Sequence, residues 1–245
     1  MANLVVDIGN SRNKFAIFID RKLQEIFTDL TFEDIETLII KFKISHSILS
    51  SVKSDSENWE DLLRMNTSFL KFSTQLKTTV NINYKTPGTL GQDRLAALIG
   101  AVYLYPNRKC LVIDAGTCIT YDAVDRDRNY FGGSISPGLK MRLQAMHSFT
   151  GRLPLINLDE NFSAWQGNDT TSAMLSGVVN GAGFELMGFT ENYNLKYTNL
   201  QIILCGGDSN IFDTRLKSSI FAQTFKTEAN LVLIGLNEVI HQYND

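Results

Sequence analysis

The sequence predicts an α/β protein of two similar lobes, each a mixed β-sheet flanked by helices, and three observations carry that prediction. The first is an internal duplication. Leu4-Val5-Val6-Asp7-Ile8-Gly9-Asn10-Ser11 and Leu111-Val112-Ile113-Asp114-Ala115-Gly116-Thr117-Cys118 align without gaps, with Asp7 on Asp114 and Gly9 on Gly116, and Ala16-Ile17 then falls on Ala123-Val124. The second is the alternation of Lys14-Phe15-Ala16-Ile17-Phe18, with polar turns at Asp20-Arg21-Lys22 and Asp125-Arg126-Asp127-Arg128-Asn129, which predicts antiparallel hairpins. The third is the set of helix-period segments that follow each hairpin.

Taken in order, each copy predicts a buried apolar strand, an Asp-x-Gly turn, a second strand running back, a polar turn and a third strand, near 23–28 and 130–136. A helix over 31–43 opens on Thr31, with Asp34 three residues on as in a capping box. A second helix spans 90–104 and stops before Pro106; others span 172–193 and 230–243. The stretch Tyr105–Lys109 is the expected boundary, which predicts lobes at 1–105 and 106–245.

Composition narrows the function classes. A chain of 245 residues that is 44% hydrophobic can build a substantial core. Its net charge of −3 gives no basic surface of the kind nucleic acid requires. No apolar run approaches the roughly 20 residues of a membrane-spanning helix, and MANLVVDIGN does not read as a signal peptide. Cys110, Cys118 and Cys205 are odd in number and lack metal-ligand spacing, so they predict buried thiols in a reducing compartment. The expectation is a cytoplasmic protein that handles small molecules.

The chemistry concentrates in the turns. An aspartate at a strand end followed by x-Gly lets backbone amides approach a phosphate, while the carboxylate faces a hydrated Mg²⁺ bound to the same phosphates. Ser11 and Lys14 in the first copy and Thr117 in the second are in place to reach phosphate oxygens. Cys205-Gly206-Gly207-Asp208 ends an apolar run in a side-chain-free turn, which suits a nucleoside and serves equally as a tight strand-to-helix connection. Tyr84 to Arg94, YKTPGTLGQDR, sets Asp93 and Arg94 at the opening of an apolar helix. An aspartate there is most often a helix-dipole partner, but it can also present a general base to a substrate hydroxyl, with Arg94 beside it for an anionic group. There is no P-loop and no GxGxxG.

The ordered series DIGNSRNK at 7–14, YKTPGTLGQDR at 84–94, DAGT at 114–117, GGSISPG at 132–138, GRLPLI at 151–156, G-x-x-T at 167–170 and CGGD at 205–208 resembles the type III pantothenate kinases. That family belongs to the acetate kinase, sugar kinase, Hsp70 and actin superfamily, so the resemblance implies a duplicated ribonuclease H-like (actin-like ATPase) fold. It also implies ATP-dependent phosphorylation of pantothenate, the first step of coenzyme A synthesis. Asp93 matches the family's catalytic base, and Tyr84, Gly91, Gln92, Asp93, Arg94 and Thr170 match pantothenate-contacting positions. Asp7, Ile8, Gly9, Asn10, Ser11, Arg12, Asn13, Lys14 and Thr117 match ATP-phosphate contacts. Asp114 matches the ligand of a monovalent cation, K⁺ or NH₄⁺, needed in addition to Mg²⁺. The resemblance further implies a homodimer. Two other readings compete: a kinase for another small hydroxy acid, and a non-catalytic nucleotide-binding regulator of the same fold.

Overall fold

The computed structural model describes residues 1–9, 12–51, 56–217, 222 and 225–244, the Arg215 side chain excepted. The chain divides into two compact units, Met1–Asn107 with Asp127–Phe131 and Asn230–Asp245, and Arg108–Arg126 with Gly132–Ala229.

The first unit is built on β1 (Ala2–Ile8), β2 (Asn13–Ile19) and β3 (Lys22–Thr28), then α1 (Phe32–Phe42), β4 (His46–Ser51), α2 (Glu57–Asn66) and β5 (Ser68–Lys71). The strands lie in the order β3-β2-β1-β4-β5, with the first three antiparallel and β4 and β5 parallel to β1. Central β1 is covered on both faces, which is why its middle reads Leu-Val-Val without alternation. Thr31 caps α1 in the expected box: its side chain accepts from the Asp34 amide at 3.2 Å, and Asp34 accepts from the Thr31 amide at 2.9 Å.

The second unit repeats the plan. It contains β7 (Cys110–Ala115), β8 (Cys118–Val124), β9 (Asn129–Pro137), α4 (Leu139–Ser148), α5 (Thr170–Lys196), β10 (Gln201–Cys205), α6 (Ser209–Lys217) and β11 (Phe225–Thr227). Its strands run β9-β8-β7-β10-β11, with β8 antiparallel and β10 parallel to β7. The order matches the first sheet strand for strand. The first residues of β9, Asn129 and Tyr130, pair with β6 (Asn81–Ile82) inside the first unit.

The gapless alignment of the two copies holds through the Asp-x-Gly turn and slips beyond it. Ile8 pairs with Asn13, whereas its counterpart Ala115 pairs with Ile119, so the second turn is one residue shorter. Ala16 lies opposite Val5, and the residue opposite the matching Val112 is Asp122, not Ala123. A one-residue shift in a period-two strand exchanges its faces, so the apparent match at 123–124 came from composition and not from register.

Two helices decide where the chemistry of the first unit sits. Helix α3 (Gln92–Leu104) and helix α7 (Leu231–Asn244) pack along each other, and α7 in turn lies on β1 and β4. They meet at two glycines. A Cβ at Gly235 would stand 1.8 Å from the Ala96 carbonyl oxygen, and one at Gly100 would stand 2.4 Å from that of Leu231. From Leu95 to Ala101 α3 is buried all round, so this stretch is apolar on every face. Gly235→Ala forces the two backbones apart, and overpacking of this kind costs about 2 kcal/mol. The expected result is a melting temperature lowered by roughly 4–8 °C, read by calorimetry.

Candidate active site

Three charged side chains come together in the first unit. Asp7, next to the end of β1, lies opposite Lys14 in the β1–β2 register. Burial raises the Asp7 carboxyl to about 6; the Lys14 ammonium works against this, and the Asp93 carboxylate adds to it. Two carboxylates from different elements therefore share one small region with Lys14. Asp93 occupies the first turn of α3 and folds back so that its carboxylate accepts from the Arg94 amide at 2.8 Å.

Arg94 is only 7% exposed, and its guanidinium donates to the Tyr130 hydroxyl at 2.9 Å. The Tyr84 ring stacks near Tyr130, with centroids 6.0 Å apart. Gln92 accepts from Ser50, near the end of β4, at 3.4 Å. Gly91 precedes α3 as its N-cap. Gln92 and Asp93 thus reach the carboxyl ends of β4 and β1, where open α/β sheets bind their ligands.

The second unit presents a parallel arrangement. Asp114 is next to last in β7, and the Gly206 backbone, at φ +89°, lies against it: a Cβ there would be 2.3 Å from both Asp114 Oδ1 and the Ala115 carbonyl oxygen. The Asp208 amide completes this contact by donating to the Ala115 carbonyl at 2.8 Å. Gly116 and Thr117 form the turn into β8. Burial raises the Asp208 carboxyl, the Lys140 ammonium opposes the rise, and Glu160 adds to it. A cavity of about 340 Å³ in this unit is lined by Lys140, Leu143, Gln144, Leu155, Ile156, Asn157, Leu158 and Glu160, of which only Leu155 and Ile156 fall in a motif picked out from the sequence, GRLPLI at 151–156.

The model of the type III pantothenate kinase family matches residues 3–192. A type III pantothenate kinase of Christiangramia forsetii is 43% identical over 97% of both chains. The chain belongs to the type III pantothenate kinases.

Solved structures add the fold alone. A conserved Campylobacter jejuni protein described as a Baf family transcriptional activator superimposes with a TM-score of 0.61 at 20% identity, covering 98% of both chains. A glucokinase from an Antarctic psychrotroph gives 0.52 at 14% identity, over 98% of this chain and 99% of its own. The actin-like kinase fold expected from the sequence is the fold observed.

In this pantothenate kinase, Asp7, Lys14, Asp93, Gln92 and Arg94 lie in the first unit with Tyr84, Ile8, Gly9, Arg12 and Asn13. The Gly9 amide donates to the Arg12 carbonyl at 3.2 Å. Asn10 and Ser11 fall outside the described residues. Asp114, Thr117 and Thr170 lie in the second unit, and Thr170 opens α5 exposed to solvent beside the Asp169–Ser172 capping box. Sequence reasoning missed Tyr130 and Ser50. Tyr130 was expected only as the first residue of a third strand, with no side-chain role, and Ser50 carried no chemical signal of its own.

The raised Asp7 carboxyl has a consequence for stability. Its value is about 6 in the folded protein against an ordinary 3.8, so the folded state holds the proton more tightly. That stabilisation is complete below about pH 4, is lost as pH rises to about 6, and stays lost above; the linked cost at pH 8 is about 3 kcal/mol. Asp7→Asn is expected to raise the melting temperature of the nucleotide-free protein by several degrees at pH 8. The gain should shrink steadily from pH 6 to pH 4, and a melting series across that range checks it.

Proposed function

We propose that this chain transfers the γ-phosphoryl group of ATP to the primary hydroxyl of pantothenate, with Asp93 as the base. The observation that carries this is the grouping of Asp93, Arg94 and Asp7 at one sheet end in a member of the family. Asp93 takes the hydroxyl proton as the oxygen attacks the γ-phosphorus, the bond from phosphorus to the bridging oxygen breaks, and ADP leaves. Arg94 is assigned to the pantothenate carboxylate. Its hydrogen bond to Tyr130 fixes the guanidinium plane before substrate arrives, which lowers the ordering cost of binding. Tyr84, Gly91, Gln92 and Thr170 are assigned to the rest of the substrate.

Phosphate contacts are assigned to the turn from Asp7 to Lys14 and to Thr117. The oxygen chemistry of the first turn suits Mg²⁺. Asp7 supplies a carboxylate whose charge is disfavoured without a cation, and Asn13 Oδ1 is a buried acceptor with no partner. Bound there with the nucleotide, Mg²⁺ would neutralise phosphate charge. Asp114, whose carboxylate lies against the side-chain-free backbone of Gly206, is assigned to a monovalent cation, K⁺ or NH₄⁺. No helix among the described residues is long and apolar enough to cross a membrane, and we assign the enzyme to the cytoplasm.

The homodimer expectation finds support on α5. Gly177, Gly181 and Gly188 face open space there, and with Phe184 they fall on one helical face. Trp165, 71% exposed, meets Phe184 edge to face. A second copy laid on this face would bury both rings, and light scattering after gel filtration is expected to give twice the chain mass.

Purified protein with ATP, Mg²⁺ and K⁺ is expected to release ADP in proportion to pantothenate and to lose most of that rate in Na⁺. Asp93→Asn is expected to lower kcat about a thousandfold while pantothenate still binds. Turnover on other hydroxy acids but not on pantothenate would reassign the substrate. Near-normal kcat in Asp93→Asn would remove the base.

A further inference from the structure

One carboxylate in the second unit collects hydrogen bonds from both chain segments that adjoin the Gly116-Thr117 turn. Glu185, on α5, accepts from the Tyr121 hydroxyl at 2.9 Å and from the Arg142 guanidinium at 2.5 Å. Ser136 donates to the same carboxylate, while its oxygen accepts from Arg142 Nη2 at 2.8 Å. Arg142 Nε reaches the Pro137 carbonyl, also at 2.8 Å. The network closes on itself, with one positive and one negative charge.

The placement of its members gives it meaning. Tyr121 lies on β8, the strand that leaves the turn, and its ring stacks on Phe189 of α5 at 4.1 Å. Ser136 and Pro137 end β9, and the next residue, Gly138, is pressed onto the turn. The Gly138 amide donates to the Thr117 carbonyl at 3.1 Å, and a Cβ there would stand 2.1 Å from the Gly116 carbonyl oxygen. The downstream strand and the corner that rests on the turn are therefore both tied to Glu185. Thr117 cannot shift without moving one of them.

The pair is strong enough to act as a brace. Side-chain exposures of 22% for Arg142 and 24% for Glu185 keep it less screened than a surface ion pair. Burial works against the Glu185 charge, but the bonds from Arg142, Ser136 and Tyr121 outweigh it and hold the carboxyl below the usual range. Burial and then the Glu185 charge push the Tyr121 phenol upward, so it stays a donor at any ordinary pH.

We propose that Glu185 and Arg142 are positioning residues for the Gly116-Thr117 turn, holding it in the arrangement that receives an ATP phosphate. The inference rests on the assignment of Thr117 to phosphate. A brace that served stability alone would move the melting temperature and leave nucleotide handling untouched, so the two roles separate in kinetics.

The test is steady-state kinetics on the full-length enzyme, varying ATP and pantothenate in turn, with melting temperature measured alongside. Glu185→Gln keeps the shape but gives up the charge and one acceptor oxygen. It is expected to raise KM for ATP about tenfold while KM for pantothenate changes less than about twofold. Arg142→Lys keeps the charge without the fork and should fall between wild type and Glu185→Gln. Tyr121→Phe retains the stacked ring and should shift KM for ATP in the same direction by less. A lowered melting temperature with an unchanged KM for ATP in Glu185→Gln overturns the proposal, as does an equal change in both KM values. If Glu185→Gln does not fold, Tyr121→Phe decides, and an unchanged KM for ATP in that variant overturns it. Thr117→Ala separates the two layers. If it leaves KM for ATP unchanged, the phosphate assignment and this inference both fall; if it raises KM while Glu185→Gln does not, only the positioning role falls.

Discussion

The backbone contact between α3 and α7 is the constraint on which the first unit depends. Two helices can approach this closely only where neither carries a Cβ at the crossing, and Gly100 and Gly235 supply that condition from distant parts of the sequence. Because α7 lies on β1 and β4, seating α3 on α7 fixes the start of α3 against the same sheet. Asp93 and Arg94 are in its first turn, so their distance from Asp7 follows from a helix crossing one to two turns further along α3. A small loss of closeness at the glycines would be carried to the carboxylates as a displacement, and phosphoryl transfer tolerates little of that.

That placement brings acidic groups together at a cost. Burial and the neighbouring Asp93 charge both disfavour ionised Asp7, and Lys14 offsets this only in part. A protein selected for stability alone would remove one of these charges. Retaining the conflict makes sense where a cation and a phosphate chain complete the electrostatics on binding, since each then finds a partner already oriented. The orphaned Asn13 oxygen at the same turn points the same way. If this turn holds phosphate and Mg²⁺ as proposed, stability and function are opposed in it.

The second unit reuses the same strand order with a different solution. Its turn is one residue shorter, and it is held from outside by close backbone contacts at Gly138 and by the carboxylate of Glu185. Gly206 brings a third segment against Asp114. Duplication supplied the scaffold, and the two copies then diverged in what surrounds the Asp-x-Gly corner.

Much of the fold was legible in the sequence, because its signals are local. The apolar strands ending in Asp7 and Asp114, the Thr31–Asp34 capping box and the long helix periods each depend on residues a few positions apart. The ordered motifs also pointed to the family and to Asp93 and Arg94. What the sequence by itself determined was the set of elements, the repeated Asp-x-Gly corner and the chemical types present at each turn. Tertiary structure decided the partners: Tyr130 for Arg94, Ser50 for Gln92, Glu185 for Tyr121 and Arg142, and the one-residue slip between the copies. The reason is physical. Hydrogen bonds between residues tens of positions apart, and the register of a strand, are set by how the sheets and helices pack, and packing leaves no periodic trace in the chain.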